Sequence, residues 1–432
     1  MSKPAEEREE ITLSEDEQRR AELRLKRKVD FRLIPMLVII YILNYIDRNN
    51  ISAARLKGLE QDLALTDQDY QTSLSILYVG YILMQVPSNL LLHKIGRPSI
   101  YLPTCVIIWG TLSALTAVAK NYRDIIVIRF FLGFIEAAFF PGALYVMSRF
   151  YTKKEYATRV TLLYAGSILS NAFGGLLAAG ILSGLEGANG IRGWRWLFIV
   201  EGCLTILSGL IAFVVLPDFP ENTRWLTEEE RLVAQRRSIQ DAGEKDDDEG
   251  VSMWRAFVMA MTDIKVWILA FMLTAAVVGL SFNAFFPTLT ATLGYSSTVT
   301  LLLTAPPWFF AYLVMLTNAL HADKTGERTI HVVWPFLVAI VGLIIATSTS
   351  ALGARFFALF LLAQSYAGFV IILTWISNSI PRPPAKRAVS LAFVNAFSQL
   401  GNIAGSYVFP AAWGPSYKNS FAICITMFGL AS

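Results

Sequence analysis

Eleven stretches of this chain are long and apolar enough to cross a bilayer. That repetition constrains the fold more than any motif does. The runs fall at about 33–53, 72–92, 99–119, 125–147, 159–182, 196–216, 264–286, 299–320, 331–348, 355–377 and 388–411. A membrane helix needs about 20 residues at 1.5 Å each. In lipid each backbone N–H and C=O has to be satisfied within its own segment, so such runs are read as helices. The expected fold is an all-α polytopic membrane protein. A composition that is 54% hydrophobic and 16% charged, with a mean hydropathy of +0.49, points the same way. A last apolar run, 420–432, reaches the chain end too short to span, and is read as a truncated twelfth helix.

The charges between the runs set the expected orientation. Arg19, Arg20, Arg24, Lys26, Arg27 and Lys28 precede the first span, which puts the N-terminus in the cytoplasm. Loops on that side carry Lys94 and Arg97, then Arg149, Lys153, Lys154 and Arg159, then Lys324 and Arg328, then Arg382, Lys386 and Arg387. Loops on the other side carry fewer basic residues, Arg55, Lys57, Lys120, Arg123, Arg192, Arg195, Arg355 and Lys418. The net charge of +4 is therefore about orientation and not about nucleic acid. The division expected is a cytoplasmic tail over 1–30, six spans over 31–216, a cytoplasmic loop over 217–262 and a second set of spans over 263–432. Residues 1–17 are expected to be disordered. Cys105, Cys203 and Cys424 lie inside apolar runs and read as small hydrophobes. No cleavable leader is recognised.

The chain repeats itself. Lys94-Ile-Gly96-Arg97-Pro-Ser-Ile100 follows the second span, and Lys324-Thr-Gly326-Glu-Arg328-Thr-Ile330 follows the eighth. Ala157, Arg159, Leu163, Ser170 and Asn171 align with Ala385, Arg387, Leu391, Ser398 and Gln399 at nearly the same offset. Two similar sets joined by a long loop resemble the 6+6 plan of a major-facilitator transporter. That plan has a substrate site between the halves near the midplane. Gly96, Arg97, Asp323, Gly326 and Arg328 are then gating-loop candidates. The first copy departs from the family pattern, with Leu92 and His93 where an acid is expected.

Ionisable residues inside the spans are the functional candidates, because a charge at that depth costs roughly 2.5–3.5 kcal/mol on insertion scales. Asp47 and Arg48 fall in the far third of the first span, within Asn44-Tyr45-Ile46-Asp47-Arg48. The alternative is an interfacial pair that snorkels to headgroups. Glu136 lies mid-way along the fourth span, seven residues after Arg129 and so on roughly the same helical face. Apolar surroundings disfavour its charged form, which makes it a candidate to exchange a proton. The alternative is a structural acid bonded to a neighbouring helix. Glu201 is read as shallow, beside Trp194 and Trp196, paired with a loop Arg and structural. Gly401, Gly405, Gly166, Gly174, Gly175 and Gly180 are read as sites of close helix approach. Pro141, Pro306 and Pro307 are read as kinks.

With Asn44-Tyr-Ile-Asp-Arg48, Arg129-Phe130, Glu136 and Pro141 in place, the chain resembles the anion:cation symporter branch of the major facilitator superfamily. Gln85-Val-Pro-Ser-Asn89, Gly193-Trp-Arg-Trp-Leu-Phe-Ile-Val-Glu-Gly202 and Leu216-Pro-Asp-Phe-Pro220 with Trp225-Leu-Thr-Glu-Glu-Glu-Arg231 bring it nearer the fungal allantoate permease-like carriers. That resemblance implies that Arg48 holds a substrate carboxylate and that Asp47 and Glu136, with Arg129, handle the proton. It implies a polar substrate contact at Asn395, with Trp375, Ser377 and Asn378 as weaker candidates and Tyr45 in the same cavity. Asn395, Ser398 and Gln399 read alternatively as interhelical hydrogen-bonding groups. The partners implied are a small organic anion, a proton and the lipid bilayer, with no cofactor or metal, in a monomer at the plasma membrane. A drug or metabolite exporter is the second reading. A membrane enzyme is disfavoured, because His93, His321 and His331 sit near span ends without paired ligand spacing. A carrier-derived nutrient receptor is a minor third class.

Overall fold

The structure, a computed structural model, describes residues 15–243, 253–379 and 384–432. Asp246–Glu249 and Arg382 lie outside the described residues. So do the side chains of Lys153, Lys154, Ser377, Asn378 and Arg387. Among the described residues every regular element is helical. The first set holds α1 (Glu15–Arg55), the one-turn α2 (Leu59–Asp62), α3 (Asp67–Ile95) and α4 (Pro98–Leu115). It continues with α5 (Tyr122–Glu136), α6 (Phe139–Phe150), α7 (Lys153–Gly184) and α8 (Gly193–Val215). Then come α9 (Glu228–Gly243) and α10 (Met253–Met261). The second set holds α11 (Ile264–Gly279), α12 (Phe286–Ala291), α13 (Ser297–Thr325) and α14 (Thr329–Ser348). It ends with α15 (Leu352–Ala363), α16 (Tyr366–Ser379), α17 (Pro384–Gly405) and the 14-residue α18 (Lys418–Ala431).

Ten helical runs among the described residues are long and apolar enough to cross a membrane. Three spans are interrupted. The fourth breaks between Glu136 and Phe139, just before Pro141, and the seventh passes through a 3₁₀ stretch at Leu280–Phe285. The tenth breaks at Gln364–Ser365, where the Gln364 amide donates to the Pro335 carbonyl at 2.7 Å. By contrast α13 continues as one helix through Pro306 and Pro307, the positions read as kinks. Its neighbours hold it: Trp308 is fully buried and Ala311 and Met315 pack inward.

Packing partners repeat with an offset of six spans. α1 packs on α7 as α11 packs on α17; α4 packs on α8 as α14 packs on α18; α3 packs on α5 as α13 packs on α16. Across the two sets, α7 lies on α13 and α17 lies on α3. Glycines let the backbones meet. A Cβ on Gly133 would collide with the Leu77 carbonyl oxygen, and one on Gly80 with the Phe130 carbonyl oxygen, at the crossing of α3 and α5. At the crossing of α4 and α8 a Cβ on Gly202 would lie 2.6 Å from the Ala114 nitrogen. Of the glycines singled out in the sequence, Gly401 meets the Thr274 carbonyl and Gly175 meets Leu301 and Thr304. Gly405 meets Ser281, whereas Gly180 faces open space.

At the end carrying the N-terminus, the expected tail is helical from Glu15, so the basic cluster is an extension of α1. Its partners explain why. Lys26 and Arg237 converge on Glu155 at 3.0 and 2.6 Å, Lys28 reaches Glu230 at 2.7 Å, and Arg159 reaches Asp30 at 2.8 Å. The Arg32 guanidinium lies 4.9 Å from the Trp225 ring centre. Here too Asp218 accepts from the Ser99 hydroxyl at 2.6 Å and from its N–H at 3.2 Å, capping α4. At the opposite end the two sets are tied together. Ser52 donates to the Ala284 carbonyl at 2.5 Å and Ser297 to the Leu56 carbonyl at 3.4 Å. Tyr407 meets Ser75 at 3.1 Å and Thr72 at 3.2 Å, and the Ala411 N–H donates to Asp67 at 2.8 Å.

Gly133→Ala should destabilise the fold by on the order of 3 kcal/mol, because carbonyl backbone cannot yield as a side chain does. Gly180→Ala should be neutral or stabilising by about 0.5–1 kcal/mol. Thermal unfolding of the two purified variants in detergent checks this. Equal midpoints would overturn the close-crossing argument.

The clasp on α9 should be acid-sensitive. Burial alone would raise Glu155, but Lys26 and Arg237 outweigh it and hold the carboxyl below the usual range; Lys28 and the Thr227 cap do the same for Glu230. Groups so depressed add stability above the unfolded carboxylate value of about 4.3, and that stability is lost as pH falls through the lower folded value. Hydrogen exchange over 228–243 should stay slow down to about pH 4 and accelerate below it. Unchanged protection at lower pH would show that the ion pairs are not what holds α9.

Candidate functional site

The site follows from one side chain. The α1 backbone delivers Arg48 into the space between the two helix sets, and Arg48 Nε lies 2.5 Å from Glu136 Oε2. The Glu136 side chain is fully buried, and that of Arg48 is 12% exposed. Glu136 sits at the last turn of α5, where the chain breaks before α6. The Gly80 and Gly133 crossing with α3 holds that turn in place. The guanidinium also lies 4.8 Å from the Tyr81 ring centre and 5.3 Å from that of Tyr45, within cation–π range.

Arg129, one α5 face earlier, is a second buried cation. Its Nε donates to the Ser73 carbonyl and its Nη2 to the Arg48 carbonyl, both at 3.2 Å. Its Nη1 has no hydrogen-bond partner among the described residues. Burying an unpaired guanidinium nitrogen is costly, so this group retains donor capacity.

Both arginines line a cavity of about 160 Å³, several times the roughly 30 Å³ that one liquid water occupies. The first helix set contributes Tyr41, Tyr45, Tyr78, Tyr81 and Tyr164 to its wall. The second contributes Tyr366, Phe369, Asn395, Ser398, Gln399 and Asn402. Among the described lining residues there is no carboxylate. Glu136 touches the cavity only through Arg48. Ser52 and Ala284 both line the cavity and are bonded to each other, so it closes toward the end that carries Arg55.

The sequence candidates divide. Arg48, Tyr45, Arg129 and Asn395 meet at the cavity. Asp47 does not. Neighbouring helix residues point about 100° apart, and the carboxylate turns away between α4 and α8. There it accepts from Ser113 at 2.8 Å and from Thr205 at 3.0 Å. Trp375 packs against the hydrophobic core rather than on the cavity wall. Ser377 and Asn378 lie in α16, and their side chains are outside the described residues. Glu201 is fully buried, and the loop arginine expected to pair with it does not reach it. Arg195 instead donates to the Ala117 and Ala119 carbonyls and stacks on Trp194.

The loop candidates form two matching turns. Gly96 and Gly326 end α3 and α13 in the left-handed region, at φ +65° and +70°, a conformation that favours glycine. Arg328 pairs with Asp323 at 2.8 Å. Arg97 flanks the start of α4, where Asp218 supplies the cap. One cluster went unread in the sequence. His321 Nδ1 lies 2.7 Å from His331 Nε2, and His331 Nδ1 lies 3.1 Å from Glu327 Oε2. Their spacing of ten residues across a turn carries no periodic signal, so only the fold joins them. Among the described residues no group of three or more His, Cys, Asp or Glu forms a metal site.

Comparison with known proteins agrees with the geometry. The family profile described as Major Facilitator Superfamily matches residues 37–406. The chain is 33% identical over 416 residues to the "MFS-type transporter cnsO" of Penicillium expansum, covering 93% of this chain and 80% of that one. It is 31% identical over 386 residues to a protein of Agrobacterium vitis named "Putative tartrate transporter", covering 89% and 84%. Among solved structures, a bacterial homologue of the human lysosomal transporter Spinster, inward-facing, aligns with a TM-score of 0.70 at 19% identity, covering 92% and 93%. A D-xylose-proton symporter aligns at 0.70 and 15% identity, covering 93% and 97%.

Breaking the Arg48–Glu136 pair from one side should cost about 3–5 kcal/mol, since it strands a buried charge. Glu136→Ala alone should therefore lower thermal stability more than Arg48→Met combined with Glu136→Gln. A double substitution no more stable than the single would show that the pair is not the energetic unit.

Proposed function

We propose, on the premise that this chain belongs to the major facilitator superfamily, that it is a proton-coupled symporter of a small organic anion. The superfamily is one of membrane transporters, not enzymes, so the chain is a multi-pass membrane transporter. The single observation that carries the finer reading is the charge balance at the cavity wall: no carboxylate among the described lining residues, Arg129 with an unpartnered nitrogen, and Arg48 balanced by Glu136 alone. An excess of guanidinium calls for an anion, and its planar fork matches a carboxylate in two bonds.

The coupling follows from Arg48 and Glu136. With Glu136 ionised, Arg48 is occupied. A proton on Glu136 cancels the pair and leaves the guanidinium for an incoming carboxylate. Proton and anion then cross together with little net buried charge, which lowers the desolvation cost. Asn395, Gln399 and Asn402 are the polar groups that would orient the rest of the substrate. The tyrosine-rich wall favours an anion with a flat or apolar body.

The name of the Agrobacterium vitis relative supports a carboxylate, and the loop charges support a cytoplasmic N-terminus. In that orientation the closed end of the cavity is the outer one. The motif set supports the anion:cation symporter branch and an allantoate permease-like carrier. The cavity is walled by a single chain, which supports action as a monomer. The same aromatic wall favours the second reading, export of an aromatic metabolite.

Uptake of labelled organic anions, allantoate, nicotinate and tartrate among them, at acidic and neutral outside pH separates the two readings. Acid-stimulated uptake abolished by a protonophore is expected, with loss of roughly 100-fold or more in Arg48→Lys while the protein still reaches the membrane. Uptake indifferent to the proton gradient, or full activity in Arg48→Lys, would overturn the symport reading.

A further inference from the structure

Glu201 is an acid for which the substrate site has no use, and its surroundings are unusual. It is fully buried in α8, and neither carboxyl oxygen has a hydrogen-bond partner among the described residues. An ionised carboxylate left that way would cost several kcal/mol, so a protein that keeps it there keeps it protonated.

The charged neighbours can be taken element by element. On α8 itself, Arg195 is turned away to the Ala117 and Ala119 carbonyls. α4 carries no Asp, Glu, Lys or Arg anywhere along its length. The charged residues of α7 all fall in its first two turns, at the far end of the helix. Of the charges on α1, Arg32 and those before it lie at the other end of the helix, Arg55 is paired with Glu60 and Asp67, Arg48 is committed to Glu136, and Asp47 faces α8. Thr205, which donates to Asp47 at 3.0 Å, is one turn after Glu201 on the same face. Asp47 is thus the charged group that Glu201 meets, and it is an acid. The contact is tight, with Gly202 pressed against Gly110 and Ala114, which leaves no entry for a counter-cation.

Two buried carboxyls that face the same helix contact, with no cation beside them among the described residues, do not both ionise. The hydroxyls of Ser113 and Thr205 both point at Asp47, which favours the negative charge there and the proton on Glu201. We propose that Glu201 and Asp47 form a second proton-binding site, two buried carboxyls that are not hydrogen-bonded to each other but carry a single negative charge between them, separate from the Arg48–Glu136 pair. Asp47 and Arg48 are consecutive on α1. Any change in the pairing of Arg48 therefore alters the field at Asp47, and with it the proton on Glu201. The site itself stands on the contacts around Glu201. Its link to transport rests on the symport reading above.

Infrared spectroscopy on the whole protein in lipid vesicles tests the site without a substrate. The C=O stretch of a buried protonated carboxylic acid should be present in the wild type and in Glu136→Gln, and absent in Glu201→Gln. Thr205→Val, which removes a donor to Asp47, should carry the band to higher pH. A Glu201→Gln spectrum identical to the wild type would overturn the proposal.

The transport arm uses labelled nicotinate, a flat carboxylate, in vesicles clamped to zero potential with a pH step of one unit. Each coupled proton contributes a tenfold accumulation, so Glu201→Gln should accumulate about tenfold less while nicotinate exchange stays within twofold. Wild-type accumulation in Glu201→Gln would show a fixed structural proton and overturn the coupling. Absence of any pH dependence in the wild type would instead overturn the symport reading, with the infrared band still deciding the site.

Discussion

A guanidinium inside a membrane protein has to be neutralised by something, and the molecule is arranged around that requirement at Arg48. Glu136 neutralises it at 2.5 Å, from a helix end that the Gly80–Gly133 crossing holds in place. Tyr81 and Tyr45 cover the guanidinium face. The pair is costly to desolvate and strong once made, so neither member is free to leave unless the other is compensated. A proton on one side and a carboxylate on the other are the two compensations that chemistry offers. On the symport reading, the interaction that stabilises the empty site is therefore the one that a substrate would replace.

Much of this was legible from residues alone, because the signals were local. Runs of 20 apolar residues specify helices without tertiary information, and each of the eleven coincides with helical structure. Gly96 and Gly326 were legible because a left-handed turn has a residue preference. Arg48 and Glu136 were legible because charges are rare at that depth. What failed needed direction. Asp47 and Arg48 are equally improbable in a span, and no composition argument says which of two neighbours faces the cavity. The arginine partner expected for Glu201 was misread because sequence proximity does not say that Arg195 turns to the Ala117 and Ala119 carbonyls. Gly80 and Gly133 escaped notice because single glycines on two helices have no spacing to detect. The α1 extension was read as a tail because its partners, Glu155, Glu229 and Glu230, lie more than a hundred residues away.

Asp47 and Arg48 diverge from one turn of α1, and that gives the helix a particular role. Arg48 engages α5 and the cavity, whereas Asp47 engages α4 and α8. α1 is continuous from Glu15 to Arg55, while its counterpart in the second set breaks at Gly279. A rigid rod carrying both groups couples their surroundings without a side-chain relay. Whatever moves one guanidinium relative to α5 moves one carboxylate relative to α8.

The contacts that close the cavity differ in kind from those that hold the helices together. The crossings inside each set are backbone on backbone, at glycines where nothing can be inserted. The ties between the sets at the Arg55 end combine apolar contacts, such as Tyr70 on Phe285 and Gly175 on Leu301, with a few hydrogen bonds from Ser52, Ser297, Tyr407 and the Ala411 N–H. Each such bond contributes about 0.5–1.5 kcal/mol net. Together they amount to a few kcal/mol, the scale of a minor state populated at 0.1–10%. A charge-assisted bond gained or lost at Arg48 is of similar size. On the symport reading, the hydrogen bonds of the seal are on the scale that a change at Arg48 would offset, and the helix sets would move as bodies as those bonds part.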